Sequence, residues 1–155
     1  MHQLGTRSTH PTAGSSKKEA MQRVSLPARL ILVVDDYDVA REMYCGFLRS
    51  GGFRVESAAT GPEAVEKAIE LRPDLVLMDL SMPGMDGLEA IRHLKGNPRT
   101  AGGHIVVVTG AAYVDGARKA KEAGADAYIV KPCLPETLLA VVRSLLKIEP
   151  PTADS

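Results

Sequence analysis

Residues 29–148 contain five short apolar runs, which are separated by longer stretches of mixed polar and apolar residues. The runs cover residues 30–34, 53–58, 74–80, 104–109 and 127–130. The first, third and fourth are almost continuously apolar, which indicates strands buried on both faces of a parallel sheet. The second run mixes polar and apolar residues, which favours an edge position in that sheet.

The stretches between the runs carry apolar residues at helical spacing. The first places five apolar residues on one face before the glycine pair 51–52 ends it: Ala40, Met43, Tyr44, Phe47 and Leu48. The second has Pro62 in its first turn and is closed by Pro73. We expect three further helices over 87–95, 114–123 and 135–147, the last ended by the proline pair 150–151.

Strands and helices therefore alternate five times, which predicts an α/β fold of (βα)5 type. Right-handed crossovers place helices on both faces of one parallel sheet, giving a doubly wound, three-layer sandwich. Residues 29–148 account for this single domain. Residues 1–28 are rich in Ser and Thr and show no periodicity, so we expect a disordered N-terminal tail. We expect residues 149–155 to form a short C-terminal tail, with no effector domain.

Composition excludes several classes of protein. The 19 basic residues balance 19 acidic ones, which argues against a strongly basic nucleic-acid binder. The two cysteines, Cys45 and Cys133, match neither a disulfide framework nor a metal-ligand spacing. No apolar run approaches the roughly 18 residues of a membrane span, and no signal peptide is visible. We therefore expect a cytoplasmic protein with reduced thiols and no membrane association.

Polar residues with reactive or metal-binding side chains follow four of the predicted strands. Asp35 and Asp36 follow the first strand, Asp79 the third, Thr109 ends the fourth, and Lys131 follows the fifth. In a doubly wound sheet, ligands bind beyond the carboxyl ends of the strands. Clustered carboxylates repel one another, and Mg²⁺, which prefers oxygen ligands, removes that cost. Carboxylates, Mg²⁺, a lysine and a hydroxyl together suit phosphoryl transfer, with an aspartate as nucleophile.

Four strings of residues carry a family resemblance. They are LILVVDD at 30–36, LVLMDLSMPGMDGLEAIRHLK at 75–95, IVVVTGAA at 105–112 and AGADAYIVKP at 123–132. Together they resemble the receiver domain of bacterial two-component response regulators, in the stand-alone form similar to the chemotaxis regulators. The resemblance covers about residues 29–148 and implies a flavodoxin-like strand order of 2-1-3-4-5.

The resemblance assigns a role to each residue of the acidic cluster. Asp79 resembles the phosphoacceptor, which takes its phosphoryl group from a phosphohistidine. Asp36 is similar to a direct Mg²⁺ ligand, and Asp35 to its partner acting largely through water. The main-chain carbonyl of Ser81 resembles a further metal ligand, and Mn²⁺ could take the place of Mg²⁺.

Three other residues resemble the parts that respond to phosphorylation. Lys131 is similar to the lysine that binds the phosphoryl group, and the family's bond to the following Pro132 is usually cis. Thr109 resembles the switch hydroxyl, and Tyr128 the switch aromatic on strand five. Cys133 departs from the family, where an aromatic residue is common, and Leu134 stands where a helix-capping residue is common.

The resemblance implies a signalling protein rather than an enzyme, apart from its own phosphorylation and autodephosphorylation. The expected donors are a sensor histidine kinase or a histidine phosphotransfer protein. We expect an unknown output protein, no direct DNA binding, and a monomer or a phosphorylation-dependent dimer. A phosphorelay intermediate or a phosphate sink fits the same site equally well.

The sequence disfavours three other functions. A Mg²⁺-dependent aspartyl-phosphate phosphohydrolase usually has a second Asp where this chain has Ser81. A flavodoxin-like cofactor binder conflicts with the acidic first loop, Asp-Asp-Tyr-Asp, which would repel a phosphate. An unphosphorylated scaffold conflicts with the complete set of site residues.

Overall fold

The computed structural model describes residues 28–110 and 115–149. Five strands and five helices alternate along this part of the chain. In chain order they are β1 (Leu30–Val34), α1 (Asp38–Ser50), β2 (Arg54–Ala58), α2 (Gly61–Leu71), β3 (Leu75–Met78), α3 (Gly87–Gly96), β4 (His104–Thr109), α4 (Gly116–Ala123), β5 (Ala127–Val130) and α5 (Pro135–Leu146). Among the described residues, no helix has the length and apolarity needed to cross a bilayer.

The five strands form one parallel sheet in the order β2-β1-β3-β4-β5. This order confirms the doubly wound prediction, and β2 lies at an edge as its mixed composition indicated. The chain leaves β1 in one direction toward β2 and returns to its other side as β3. The carboxyl ends of β1 and β3 therefore flank the point where the strand order reverses, where such folds bind ligands.

Helices cover both faces of the sheet and give it two hydrophobic cores. Successive strand side chains point to opposite faces, so Ile31 and Val33 enter one core while Leu32 and Val34 enter the other. Helices α1 and α5 close the first core, and α2, α3 and α4 close the second. Burial on both faces explains why β1, β3 and β4 read as continuous apolar runs.

The observed bounds agree with the sequence pattern, with small differences. Strand β3 spans four residues rather than the seven of its apolar run. Asp74 lies before it and turns its carboxylate back to accept a hydrogen bond from the Leu30 N–H at 2.7 Å. Helix α4 is described from Gly116, and the predicted start at residue 114 lies outside the described residues. So do the two predicted tails, apart from residues 28 and 149.

The start of α3 is fixed against the segment that carries Asp79. The Asp86 side chain caps the helix by accepting a hydrogen bond from the Glu89 N–H at 2.9 Å. Gly87 follows it, and a Cβ built there would lie 2.3 Å from the Asp79 carbonyl oxygen and 2.7 Å from the Leu80 Cα. A glycine is therefore required for the helix to begin this close to the site.

We expect Gly87→Ala to lower the free energy of unfolding by about 2 kcal/mol, because the added methyl group meets backbone that must shift. Urea denaturation followed by circular dichroism measures the change. Gly96→Ala, at the other end of the same helix, is the matched control, since a Cβ there meets nothing within 4 Å. Equal stability of the two variants would contradict the close-packing argument.

Candidate functional site

Three aspartates converge at the carboxyl ends of β1 and β3. One oxygen from each of Asp35, Asp36 and Asp79 lies within 4.8 Å of the others. Asp35 and Asp79 are only 2% and 5% exposed, whereas Asp36 is exposed. The strand register brings them together, because Val34 pairs with Met78 and the aspartates follow directly. The sequence predicted this convergence from the parallel sheet.

Each oxygen of the Asp35 carboxylate accepts a hydrogen bond. One oxygen accepts a hydrogen bond from the Tyr37 N–H at 2.9 Å, and the other accepts one from the Lys131 ammonium at 2.6 Å. The guanidinium of Arg41 donates to the Asp35 main-chain carbonyl at 2.9 Å, which fixes the turn into α1. These bonds hold the buried carboxylate in a single orientation.

The buried Asp79 carboxylate has weaker polar contacts than the Asp35 carboxylate. Its Oδ1 accepts a hydrogen bond from the Ser81 N–H at 3.3 Å, and the Thr109 side chain also interacts with the carboxylate. The Lys131 ammonium lies 3.9 Å from its Oδ2. Burial raises the pKa of Asp79 above its usual value, and the charge of Asp35 adds to that rise. The charge of Lys131 and the interactions with Ser81 and Thr109 oppose this rise but leave the pKa raised.

Lys131 joins the far side of the sheet to this cluster. It directly follows β5, and its N–H donates to the Thr109 carbonyl at 2.9 Å, which continues the pairing of β4 and β5. Its side chain passes Gly110, where an added Cβ would lie 3.7 Å from the Lys131 Cδ, at ordinary van der Waals distance. The Lys131–Pro132 peptide bond is cis, as the resemblance implied.

Thr109, Tyr128 and Ser81 occupy different positions around the cluster. Thr109 is completely buried at the end of β4. Tyr128 lies on β5 opposite Val107 and packs, partly buried, against the core that α4 closes. Ser81 is exposed in the loop after Asp79. The sheet therefore places Thr109 beside the carboxylates. Tyr128 lies on the neighbouring strand, two residues before Val130, which pairs with Thr109.

Tyr44 is the residue that sequence reasoning missed. The sequence placed it on the buried face of the first helix and gave it no part in the site. In the structure the Lys131 ammonium lies over its ring, 5.7 Å from the ring centroid. Burial raises the pKa of the Tyr44 hydroxyl, and its interactions with Cys133, Asp35 and Asp79 raise it further. Helical periodicity shows which face is buried but not which side chain it meets.

The donor set fits a hard divalent cation. Three carboxylates offer only oxygen ligands, which Mg²⁺ and Mn²⁺ accept and which softer metals do not favour. Burial, together with the charge of Asp35, raises the pKa of Asp79, and a bound cation would offset both effects. Asp36, as the exposed member, leaves one side of the cluster open to solvent.

Fold and site together define a doubly wound α/β protein with an acidic, lysine-bearing site at the topological switch point. A family model of the response regulator receiver domain matches residues 31–143. The chain therefore belongs to the response regulator receiver domain family of two-component signalling.

Relatives and solved structures agree with this membership. The phosphate regulon transcriptional regulatory protein PhoB of Escherichia coli is 36% identical over 126 residues, which are 81% of this chain and 55% of PhoB. The chemotaxis protein CheY4 of Vibrio cholerae matches with a TM-score of 0.72 and 32% identity, over 76% of this chain and 98% of CheY4.

A third comparison concerns a structure that contains a metal. The receiver domain of the sensor histidine kinase PA1611 of Pseudomonas aeruginosa is described with a magnesium ion coordinated in its active-site cleft. It matches with a TM-score of 0.72 and 29% identity, over 77% of this chain and 98% of that domain. The chain thus spans nearly all of the receiver structures but only about half of PhoB.

We expect Asp79→Asn to raise the melting temperature at pH 7 without divalent cations by about 3 °C. Because the pKa is raised in the folded state above 3.8, wild-type stability falls as pH rises from that value through the folded pKa. The advantage of the variant should therefore shrink as pH falls toward 4. Scanning calorimetry across pH measures this, with exposed Glu66→Gln as the charge control. An Asp79→Asn variant no more stable than wild type at pH 7 would contradict it.

Proposed function

We propose that this chain accepts a phosphoryl group on Asp79 from the phosphohistidine of a sensor kinase or phosphotransfer protein. The observation that carries the proposal is the buried Asp79 carboxylate, within 4.8 Å of Asp35 and Asp36 and 3.9 Å from the Lys131 ammonium. An Asp79 oxygen attacks phosphorus as the P–N bond breaks, and the released imidazole nitrogen takes up a proton. Such transfers depend on positioning and charge neutralisation.

The remaining site residues would bind the metal ion and the phosphoryl group during that transfer. Asp35, Asp36, Asp79 and the main-chain carbonyl of Ser81 would hold Mg²⁺ or Mn²⁺. When bound, the ion neutralises charge on the carboxylates and the phosphoryl oxygens. Lys131 supplies a further positive charge for a phosphoryl oxygen. The magnesium ion described for the PA1611 receiver supports this assignment.

Thr109 and Tyr128 form the proposed switch. The Thr109 side chain interacts with the Asp79 carboxylate, so a phosphoryl group there would offer its hydroxyl a new acceptor. Tyr128 lies on the adjacent strand beside α4, where a change at Thr109 alters its packing. We infer that phosphorylation remodels the surface formed by α4, β5 and α5.

An apolar rim beside the site is the proposed dock for the phosphoryl donor. Its members are large hydrophobic side chains with exposed fractions from 43% to 66%: Tyr37, Val39, Met43, Val130 and Leu134. They belong to the β1–α1 turn, the first half of α1, the last residue of β5 and the segment after it. Exposed apolar patches of this kind mark protein interaction sites.

Output through protein binding completes the proposal. The receiver itself would contact no DNA, although PhoB, which it matches over 55% of its length, is a transcriptional regulatory protein. A cytoplasmic location and a monomer that dimerises on phosphorylation belong to the same proposal. A phosphorelay intermediate or phosphate sink shares the site, and rapid return of the phosphoryl group to a histidine protein distinguishes it.

Incubation with phosphoramidate or acetyl phosphate and Mg²⁺ should add the mass of one phosphoryl group, measured by intact mass spectrometry. Asp79→Ala should remove the gain completely. Asp38→Ala, an exposed carboxylate three residues past Asp35, should leave it unchanged. An equal gain in Asp79→Ala, or none in wild type, would sink the proposed function.

Mg²⁺ should also stabilise the protein, because it binds only the assembled site. At about one hundred times its Kd, the expected stabilisation is about 2.7 kcal/mol. Asp36→Asn should need about tenfold more Mg²⁺ for the same rise in melting temperature, whereas Asp38→Asn should match wild type. No rise with Mg²⁺ in wild type would refute the metal assignment without bearing on the fold.

A further inference from the structure

The Lys131 ammonium touches three groups, and one of them has no charge. It donates to Asp35 at 2.6 Å, lies 3.9 Å from Asp79, and stands over the Tyr44 ring at 5.7 Å from the centroid. An ammonium over the face of an aromatic ring within about 6 Å is attracted by the ring quadrupole. The attraction strengthens when both groups are shielded from water, and Tyr44 is only 2% exposed.

Tyr44 is itself held firmly. It lies on the buried face of α1, in the core that α5 closes, and packs edge-to-face against Phe47 with ring centroids 6.0 Å apart. Its hydroxyl interacts with Cys133, two residues past Lys131. The ring therefore cannot move without disturbing α1, and it gives the lysine a fixed surface.

A lysine in this position needs such a surface. Its four-carbon side chain has many rotamers, and its ammonium is a point charge without the directional fork of arginine. Asp35 alone could hold it, but that bond competes with a phosphoryl oxygen for the same ammonium. The Tyr44 ring attracts the ammonium without competing for its hydrogen-bond donors.

We propose that Tyr44 is a positioning residue whose ring holds the Lys131 ammonium at the Asp35–Asp79 edge of the site, ready to bind a phosphoryl oxygen. The role in binding a phosphoryl oxygen rests on the proposed function, whereas the contact between the ring and the ammonium exists in the unphosphorylated protein. The ring is the active part, so the hydroxyl should be dispensable.

The contact is tested first in the unphosphorylated protein by NMR. The Lys131 Hε protons, assigned by their loss in Lys131→Ala, should lie upfield of those of the other lysines because of the ring current. The shift should persist in Tyr44→Phe and vanish in Tyr44→Leu. Ordinary lysine positions in wild type would overturn the inference, whatever the phosphorylation result.

The role is tested by a double-mutant cycle on the rate of phosphorylation by phosphoramidate. Tyr44→Leu should lower the rate about fivefold, as expected for a cation–π contact of about 1 kcal/mol. Tyr44→Phe should stay within about twofold of wild type. In the Lys131→Ala background, Tyr44→Leu should cause no further loss, because its effect passes through the lysine.

Controls separate positioning from general destabilisation. Phe53→Leu removes a buried ring from the same core, with no lysine ammonium over it among the described residues, and should leave the rate unchanged. Tyr44→Met replaces Tyr44→Leu if the latter does not fold. Equal losses with and without Lys131, or an equal loss in Phe53→Leu, would refute positioning. Failure of wild type to gain any phosphoryl mass would instead refute the proposed function.

Discussion

The burial of two carboxylates side by side is the constraint on which this structure depends. Asp35 and Asp79 lie almost without solvent at the ends of neighbouring strands, where each disfavours the charge of the other. One lysine from the opposite end of the sheet partly offsets that repulsion. The remaining imbalance makes the pocket receptive to a cation and leaves Asp79 the less satisfied carboxylate. The reactivity proposed for Asp79 follows from this incomplete compensation.

Helices α4 and α5 cover opposite faces of the sheet and differ in how much apolar area they bury. Helix α5 buries Leu138, Val142 and Leu146, whereas the shorter α4 buries only Gly116, Ala120 and Ala123. Burial of apolar area stabilises in proportion to that area, so α4 is held by far less free energy. Elements with few buried apolar contacts are the ones that open or shift first. This difference supports the proposal that the α4 side responds to phosphorylation.

The sequence predicts the features that follow from periodicity and topology. The apolar runs identified all five strands, and the parallel arrangement then required Asp35, Asp79 and Lys131 to meet at one edge. It could not identify Tyr44, because helical spacing marks a buried face without naming its partner across the fold. Nor could it rank the carboxylates, since the raised pKa of Asp79 depends on burial and on the distances to Asp35 and Lys131.

The bond between Lys131 and Asp35 joins residues 96 positions apart, from the last strand to the first. No fragment that lacks either end of the domain contains this bond, and none places the Tyr44 ring beneath the lysine. Local structure alone, such as an isolated β1–α1 unit, brings together only part of the acidic cluster. The acidic cluster with its lysine is therefore a property of the whole folded domain, so the proposed phosphoryl acceptance requires both ends of the domain to be folded together.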